Sequence, residues 1–398
     1  MASRRKPRPR NKPAKTVCVA VCIDTREQWG RERLFGFLQY AQMRNWQIHR
    51  IQENNKAALA EAAPRAFDGA VVYDCLDEQF QALLKKKSSI CVELGLRNQH
   101  LTDASVFLDD AAVVRMQIEH LRSIGFEQFA LCGFSQNRVS DIRENHFFKQ
   151  TDGAGHVFKD AILDGVMDID PLIRWLKSLP KPIGVLTCDD RGGEHVLAAC
   201  LRAGIHVPEE VGVVGLGNDE LICEMTQPCL SSVVVPSQRL GWGAAELIEQ
   251  SILGKKIKKK RQPLAPLDVV SRTSTDRLLA ARPLVLKAAT FMRAESSRPI
   301  GVDQVVAAAG VSRSTLERAF VADIGRTVHE YFVQLRMEAA KQLLRKTNMP
   351  IIDVAAQSGY LSLSAFVQMF TTYVGMSPRD YRHHQQPLMR ATPTAARS

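Results

Sequence analysis

The sequence of 398 residues is poor in aromatic side chains and has neither a long apolar run nor closely paired cysteines. Aromatic residues make up 7%, and no stretch approaches the ~18 consecutive apolar residues of a membrane span. Nine scattered cysteines, an odd number, argue against a disulfide framework or a zinc site and favour a reducing compartment. The apolar run after the basic start ends at Asp24 without a small-residue cleavage site, so we expect a cytoplasmic protein with no membrane contact.

Acidic residues are too few to balance the basic ones, since 53 Lys and Arg against 42 Asp and Glu give a net charge of +11. Residues 1–15 carry +7, residues 255–261 carry +6 and residues 285–398 carry +6, which leaves −8 for the rest of the chain. This distribution favours a polyanionic partner at the ends of the chain. Three prolines oppose a helix in residues 1–15, so we expect a disordered basic arm there, which either contacts the partner or is only solvated.

Residues 16–276 alternate between short apolar runs and amphipathic segments. The pattern predicts strands at 16–23, 70–73, 90–94, 129–132, 183–187 and 211–216, and helices at about 30–44, 110–124, 171–178, 190–203 and 236–253. Such alternation implies right-handed crossovers and parallel sheets covered on both faces. Because the segment exceeds 250 residues, we expect two lobes with a ligand cleft at the carboxyl ends of the strands.

Polar side chains follow several of these strands, among them Asp190 after the fifth strand and Asn218 and Asp219 after the sixth. Carboxylates and amides can pair with the vicinal hydroxyls of a sugar, although Asp and Asn at strand ends also simply cap helices. The sequence has no hydrolase nucleophile elbow, no dinucleotide-binding glycine loop and no phosphate loop ending in lysine. We therefore expect no enzyme, no cofactor and no metal.

The last hundred residues contain two short helix pairs with the same design. In the first, Val302, Val305, Val306 and Ala309 form one helical stripe, Gly310 provides the turn and Ser312 is placed as the N-cap of the next helix. In the second, Ile351, Val354 and Ala355 form the stripe, Gly359 the turn and Ser362 the N-cap. Val311 with Leu316, and Leu361 with Phe366, are expected to form hydrophobic staples. Two such pairs in tandem predict a double helix-turn-helix domain.

Helical periodicity predicts which side chains of this domain point outward. They are Ser314 and Arg318 in the first pair and Ser364 and Gln368 in the second, with Arg313, Thr315 and Ser362 at the helix starts. These seven are the candidate DNA-binding residues. A connecting helix of about 19 residues would span ~28 Å, close to the ~34 Å between successive major-groove faces of DNA. An all-helical packing domain without a nucleic-acid role remains the alternative.

Residues 302–382 resemble the DNA-binding domain of AraC/XylS-type bacterial transcription regulators. The motifs are Ser312-Arg313-Ser314-Thr315-Leu316-Glu317-Arg318-Ala319-Phe320, Gly359-Tyr360-Leu361-Ser362 and Gly375-Met376-Ser377-Pro378-Arg379-Asp380-Tyr381-Arg382. Residues 16–276 resemble the periplasmic-binding-protein-like sensor of LacI-type regulators, through Gly30-Arg31-Glu32-Arg33-Leu34-Phe35-Gly36, Leu230-Ser231-Ser232-Val233 and Arg272-Thr273-Ser274-Thr275.

The resemblance implies a cytoplasmic homodimer that activates transcription with RNA polymerase in response to a small sugar, a pentose such as D-xylose being expected. It also implies sugar-binding roles for Arg143 and Asp190. The chain departs from related sensors at Gly217, where they carry an aspartate that binds hydroxyls. Either Asn218 or Asp219 replaces it, or the ligand is a sugar other than xylose. The competing hypothesis is a sugar-binding or sugar-processing protein whose C-terminal helices serve assembly.

The fold class predicted from these observations is an α/β two-lobed, type I periplasmic-binding-protein-like sensor followed by an all-α double helix-turn-helix domain. We expect a basic arm at 1–15, the sensor at 16–276, a linker with a leading helix at 277–300, the double helix-turn-helix at 301–385 and a disordered tail at 386–398.

Overall fold

The computed structural model describes residues 16–52, 56–61, 66–73, 75, 77–97, 99–160, 162–163, 166–167, 169–257, 260–276 and 282–385. The predicted basic arm of residues 1–15, the predicted tail of residues 386–398, Lys258 and Lys259 of the basic run, and residues 277–281 of the predicted linker lie outside these ranges. The expectations for those segments therefore stay predictions.

The strands and helices of the described residues are numbered in chain order. The strands are β1 Cys18–Ile23, β2 Gln47–Arg50, β3 Gly69–Tyr73, β4 Cys91–Glu93, β5 Ala104–Leu108, β6 Phe129–Phe134, β7 His156–Asp160, β8 Ile162–Leu163, β9 Val166–Met167, β10 Ile183–Thr187, β11 Val211–Gly217, β12 Ser231–Val234, β13 Arg261–Leu264 and β14 Asp268–Val270. The helices are α1 Gln28–Met43, α2 Lys56–Glu61, α3 Glu78–Lys87, α4 Asp110–Ser123, α5 Arg138–Gln150, α6 Ile169–Ser178, α7 Asp190–Ala203, α8 Glu220–Met225, α9 Ser237–Ile252, α10 Pro283–Ala294, α11 Val302–Ala309, α12 Arg313–Ile324, α13 Val328–Lys346, α14 Ile351–Gln357, α15 Leu363–Val374 and α16 Pro378–Gln385. None of the helices in this part of the chain is long and apolar enough to span a bilayer.

The first compact unit combines the chain up to Phe107 with Ser237–Gln262. Its sheet has the order β13-β5-β4-β3-β1-β2, with β1 to β5 paired in parallel. The apolar run that predicts β1 is buried at residues 19–23, as expected for a strand that is covered on both faces. Helices α1 and α9 approach so closely that a Cβ at Gly36 would lie 2.0 Å from the carbonyl oxygen of Gln238, which leaves room only for glycine.

The second compact unit combines Leu108–Pro236 with the chain from Pro263 onward. Its sheet has the order β14-β12-β11-β10-β6-β7, all parallel except β14, which runs antiparallel to β12. A buried apolar cluster centred on β10, β11, α6 and α7 forms its core. The parallel arrangement brings the carboxyl ends of β6, β10 and β11 to one edge, where the predicted ligand residues follow the strands.

The periodicity located the sensor elements that it predicted to within about two residues, and it missed others. The predicted helix at 190–203 is α7, and the predicted helix at 236–253 is α9. Helices α3 and α5 and strand β7 were not predicted, because their short or charged segments show no clear apolar stripe. The fold class itself is confirmed, with two mostly parallel sheets followed by helices.

The C-terminal helices α10 to α16 enclose two separate apolar cores. The first core contains Val305, Leu316 and Phe320 and is closed by α10 and the start of α13. The second contains Val354, Phe366 and Phe370 and is closed by the end of α13 and by α16. Helix α13 has the 19 residues predicted for the connecting helix, and it contributes side chains to both cores.

The caps of the two helix pairs repeat at an interval of 50 residues, as the sequence predicts. The Ser312 hydroxyl accepts from the backbone N–H of Thr315 at 3.2 Å, and the Ser362 hydroxyl accepts from that of Ala365 at 3.4 Å. The repeat extends further than predicted, because Thr327 caps α13 in the same way that Ser377 caps α16. Each helix-turn-helix is thus one copy of a common structural design.

The predicted staple between Leu361 and Phe366 is wrong. Leu361 is 90% exposed, the most exposed large apolar side chain described, so it does not cover the buried ring of Phe366. Tyr360 does this instead, with ring centroids 5.5 Å apart. In the first pair Val311 is half-buried and packs on the core that contains Leu316, as predicted. The aromatic side chain before Leu361 occupies the space that the leucine was expected to fill.

Candidate ligand-binding and DNA-binding sites

Three of the four predicted ligand residues lie together at the carboxyl ends of β10 and β11. The backbone N–H of Asp219 donates to Oδ2 of Asp190 at 2.7 Å. The Ser232 hydroxyl donates to Oδ1 of the same carboxylate and accepts from the backbone N–H of Asn218 at 3.0 Å. Ser232 therefore joins Asp190 to Asn218 and fixes the orientation of the carboxylate.

The Asp190 carboxyl is buried, with 2% of the residue exposed. Burial raises its pKa to about 6, although the hydrogen bonds from Ser232 and from the Asp219 backbone act in the opposite direction. The group is therefore mainly ionised at neutral pH. An ionised carboxylate held by two donors retains lone pairs that can accept from ligand hydroxyls.

Two glycines of β11 shape this group of residues. A Cβ at Gly215 would lie 2.3 Å from Oδ1 of Asp190, so the carboxylate occupies the space that a side chain would need. Gly217 has a φ of +127°, a conformation that strains any side chain. The backbone here is therefore unsuited to the aspartate that related sensors carry at this position. The next residue, Asn218, has a φ of +53°, which asparagine tolerates.

The fourth predicted ligand residue, Arg143 on α5, belongs to a neighbouring buried group. Its Nε lies 2.7 Å from Oδ1 of Asp110, and both side chains are about 6% exposed. A second guanidinium nitrogen donates to the carbonyl oxygen of Cys188. Arg143 thus neutralises Asp110 and holds the segment that leads from β10 into Asp190.

Asp189 and Asp219 follow strands β10 and β11, and each caps the helix that comes next. The Asp189 carboxylate accepts from the backbone N–H of Gly192 at 2.7 Å, and that of Asp219 accepts from Leu221 at 3.1 Å. Asp190 has no such capping bond among its described contacts; it binds Ser232 and the Asp219 backbone. Both flanking aspartates therefore cap a helix, and the described capping bonds of Asp219 involve only its Oδ1 atom.

Two further residues support the site and were not predicted as part of it. Arg272 donates to the Asn218 side-chain oxygen at 3.0 Å and to the carbonyl of Leu230 at 2.9 Å. The buried side-chain amide of Gln117 lies within 3.4 Å of three carbonyl oxygens of β10 and β11, those of Thr187, Val214 and Gly215. The sequence signal that could identify Gln117 is a polar residue on the otherwise apolar face of α4.

The predicted DNA-binding residues of the first helix-turn-helix all lie on the solvent side of the start of α12. The four exposed side chains are Arg313, Ser314, Thr315 and Arg318. Arg313 approaches Asp303 at 3.6 Å, but both side chains are exposed, at 63% and 90%. Such a surface pair contributes little and leaves the guanidinium available to another anion.

The second helix-turn-helix exposes the corresponding positions at the start of α15. Ser362, Ser364 and Gln368 are all exposed. The hydroxyls of Ser362 and Ser364 lie 2.7 Å apart, and those of Ser312 and Ser314 in the first copy lie 3.1 Å apart. The two copies therefore present the same serine pair at the start of a helix, which matches the arrangement of a recognition helix.

A buried charge cluster joins the helical domain to β14 of the sensor sheet. The Lys341 ammonium on α13 lies 2.9 Å from Oδ1 of Asp268 and 3.1 Å from Glu338. The other Asp268 oxygen accepts from the Tyr381 hydroxyl at 2.9 Å and lies 3.6 Å from Arg345. Burial by itself lowers the pKa of Lys341, but the carboxylates of Glu338 and Asp268 outweigh it and the net direction is upward. We call these five side chains the Asp268 cluster.

A second contact between sensor and helical domain lies near the end of α4. Arg326 donates from Nε to the carbonyl oxygen of Ser123 at 2.7 Å. His120 lies within hydrogen-bond distance of the Thr275 hydroxyl, 3.0 Å from Nε2 to Oγ1. Burial, and next the positive charge of Arg326, lower the pKa of His120 to about 4, so the ring is neutral at neutral pH.

Two family profiles match the chain in the order of its folded parts. The profile described as a periplasmic binding protein-like domain matches residues 118–275, and the one described as a helix-turn-helix domain matches residues 305–384. The helix-turn-helix match contains α12, α13, α14 and α15 whole. Both described sites therefore fall inside segments that known families share.

Curated relatives match over two thirds of the chain or more. The xylose operon regulatory protein of Escherichia coli K12 is 27% identical over 93% of this chain and 98% of its own length. That of Haemophilus influenzae is 32% identical over 69% of this chain and 73% of its own length. The solved structure of the xylose-binding transcription activator xylR superposes with a TM-score of 0.58 at 26% identity, covering 94% of this chain and 99% of that one.

Proposed function

Because the chain belongs to the family of the xylose operon regulatory proteins, we propose that it binds D-xylose in its sensor and operator DNA through its helical domain, and thereby activates xylose genes. The observation that carries the DNA-binding part is the repeated helix-turn-helix with exposed polar residues at matching positions of α12 and α15. The relatives are transcription regulators, and the proposal includes no enzymatic step.

The DNA-binding part rests on side-chain chemistry at the helix starts. Arg313 and Arg318 can donate to phosphates or, in bidentate form, to guanine. Thr315 and the serines of both copies can contact phosphates or bases, and Gln368 can pair with adenine. These are the seven residues predicted from the sequence, and their exposure supports the role.

The length of α13 supports recognition of two adjacent grooves by one chain. Its 19 residues span ~28 Å, near the ~34 Å of one helical turn of DNA. A homodimer would place four helix-turn-helix units on tandem half-sites and could contact RNA polymerase bound beside them. Since the DNA target lies in the bacterial cytoplasm, we infer the same location for the protein.

The sugar-binding part rests on the group around Asp190. In the proposal, sugar hydroxyls donate to the ionised Asp190 carboxylate and exchange hydrogen bonds with Asn218, Asp219 and Arg143. Asn218 and Asp219 take over the role of the aspartate that is absent at Gly217. The rigid hold of Ser232 on Asp190 means that the carboxylate is already oriented before the ligand arrives, which favours affinity.

The signal between the two sites is proposed to pass through β12 and β14. Ser232, which holds Asp190, is paired in register with Val270, and Val234 is paired with Asp268. A shift of β12 on sugar binding would therefore move Asp268 and with it Lys341 of α13. Sugar binding would change how the helical domain is held, and so its affinity for DNA.

Footprinting and gel-shift titration with a promoter fragment from beside the gene test the DNA-binding part. Arg318→Ala should weaken protection of one half-site while the other persists, and Arg202→Ala, an exposed arginine of α7, is the matched control. Equal affinity of wild type and Arg318→Ala would contradict the assignment. No shift by the wild type together with turnover of a pentose would favour a sugar-processing protein.

A thermal-shift and calorimetric screen against pentoses and hexoses tests the sugar part. D-Xylose should raise the unfolding temperature, because a ligand that binds only the folded state stabilises it. Asp190→Asn should reduce this shift strongly, because its binding is weaker, and Asp152→Asn, in the turn after α5, should leave it unchanged. If another sugar raises the unfolding temperature and D-xylose does not, that sugar replaces D-xylose as the proposed effector.

A further inference from the structure

The second helix-turn-helix exposes two leucines where the first has an arginine and a half-buried valine. Leu361 is 90% exposed and Leu363 is 41% exposed, and they flank the cap residue Ser362. At the corresponding positions, 50 residues earlier, stand Val311 and Arg313. Because Tyr360 covers Phe366, the exposed leucine at 361 is not required to complete the core.

At two further outward positions, the side chain of the second recognition helix is again less polar or less charged than that of the first. Thr315 of α12 corresponds to Ala365 of α15, and Arg318 corresponds to Gln368. The start of α12 therefore carries two positive charges, whereas the start of α15 carries none. The cap serine, Ser312 or Ser362, and the serine at the second helical position, Ser314 or Ser364, are common to both.

Each set of side chains fits different base pairs in a major groove. Arginine pairs bidentately with the O6 and N7 atoms of guanine, whereas glutamine pairs with adenine and apolar side chains contact the methyl group of thymine. Leucines beside exposed serines on a recognition helix are suited to a groove that presents methyl groups among polar edges. They are poorly suited to phosphates, which need a donor.

We propose that the two helix-turn-helix units recognise half-sites of different base composition. In this proposal α12 reads guanine through Arg313 and Arg318, and α15 reads A·T pairs, with Leu361 and Leu363 packed against thymine methyl groups and Gln368 on adenine. The inference rests on the proposed DNA-binding function and assigns to each copy the base chemistry that it recognises.

The test begins with selection of binding sites from random duplex DNA by the full-length protein. The selected sites should contain one half-site with a fixed guanine and a second that is rich in A·T, separated by about one helical turn. Failure to select any sequence would contradict the proposed DNA-binding function itself. Selected half-sites that are both guanine-dependent would overturn only the present inference.

Base analogues then test the contacts atom by atom. Replacing thymine by deoxyuridine in the A·T-rich half-site should lower affinity about three- to fivefold per contacted methyl group, the effect of losing one buried methyl. Replacing guanine by 7-deazaguanine in the other half-site should lower it about tenfold, because the N7 acceptor is lost. Deoxyuridine without effect in either half-site would overturn the proposal.

Variants connect each effect to its side chains. The double variant Leu361→Ala with Leu363→Ala should lose discrimination between thymine and deoxyuridine while keeping its sensitivity to 7-deazaguanine. Ile352→Ala, an exposed apolar residue of α14, is the matched control and should keep both. Unchanged discrimination in the double variant overturns the proposal. So does a variant that binds DNA like the wild type but no longer activates transcription, which would assign the leucines to a protein partner.

Discussion

Lys341 of α13 and Asp268 of β14 form a buried ion pair, with 2.9 Å between Nζ and Oδ1 and 7% and 15% of the two side chains exposed. The residues are 73 positions apart, one in the helical domain and one in the sensor sheet. Glu338 and Arg345 bring the cluster to two positive and two negative charges. A balanced cluster of this kind is tolerated in the interior only while all its members remain paired.

Loss of the lysine should therefore destabilise the folded protein. Lys341→Met leaves Asp268 with Tyr381 and Arg345 but removes the described ion pair of Glu338. We therefore expect the free energy of unfolding to fall by about 3 kcal/mol. Urea denaturation followed by circular dichroism measures it. Lys159→Met, which breaks the surface ion pairs with Asp141 and Glu144, is the control and should cost about 1 kcal/mol or less. Equal effects of the two variants would show that the cluster is not a buried one in solution.

His120 should make stability depend on pH in the acid range. Its pKa is lowered to about 4 in the folded protein by burial and by Arg326, with Lys341 acting in the same direction and Asp268 against it. A histidine whose folded pKa lies below its unfolded value, near 6.5, stabilises the protein fully above pH 6.5 and loses that contribution as the pH falls toward 4. We expect a loss of about 3 kcal/mol by pH 4, measured by urea denaturation at each pH. His120→Gln should remove this part of the slope, and an unchanged slope would refute the assignment.

Gly359 and Gly310 provide the turn in the two helix pairs but should respond differently to alanine. Both have a φ near +77°, so alanine costs about 1 kcal/mol of backbone strain at either site. A Cβ at Gly359 would also lie 2.5 Å from the carbonyl oxygen of Ser296, whereas nothing lies within 4 Å of one at Gly310. Gly359→Ala should therefore lower the unfolding free energy by about 3 kcal/mol or more, and Gly310→Ala by about 1 kcal/mol. Chemical denaturation of both variants decides this, and similar losses would contradict the close approach.

The affinity for D-xylose should fall below pH 6. Burial raises the pKa of Asp190 to about 6. In the proposed site, sugar hydroxyls donate to the ionised form of this carboxyl. Between pH 7 and pH 5 the ionised fraction drops about tenfold, so the association constant should drop by the same factor. Isothermal titration across this range measures it. The weaker binding of Asp190→Asn should be independent of pH, and a wild-type affinity that does not change would remove Asp190 from the ligand contacts.

The sequence predicted the features of this protein that depend on local periodicity. The caps Ser312 and Ser362, the turn glycines and the full length of α13 all follow from patterns within a few residues, and the structure has them. The staple at Leu361 was wrong because two neighbouring residues, Tyr360 and Leu361, were both able to cover Phe366, and only tertiary packing decides between them.

The sites depend more strongly on long-range pairing, which no local pattern carries. Asp190 and Asn218 were identifiable because the ends of parallel strands meet at one edge. Ser232, which joins them, stood out only through a family resemblance. The pair of Lys341 with Asp268 was missed because its partners are far apart in sequence and each resembles an ordinary surface charge.

Helix α13 has one more consequence, because it is part of both hydrophobic cores of the helical domain. The two helix-turn-helix units are joined without a flexible linker, so binding of one raises the effective concentration of the other at its half-site only when the half-sites have the matching separation. A shift of about 5 bp, half a helical turn of DNA, would leave each unit to bind alone. We therefore expect the affinity of the chain for DNA to be bivalent in origin, and to depend on the phase of the two half-sites as strongly as on their bases.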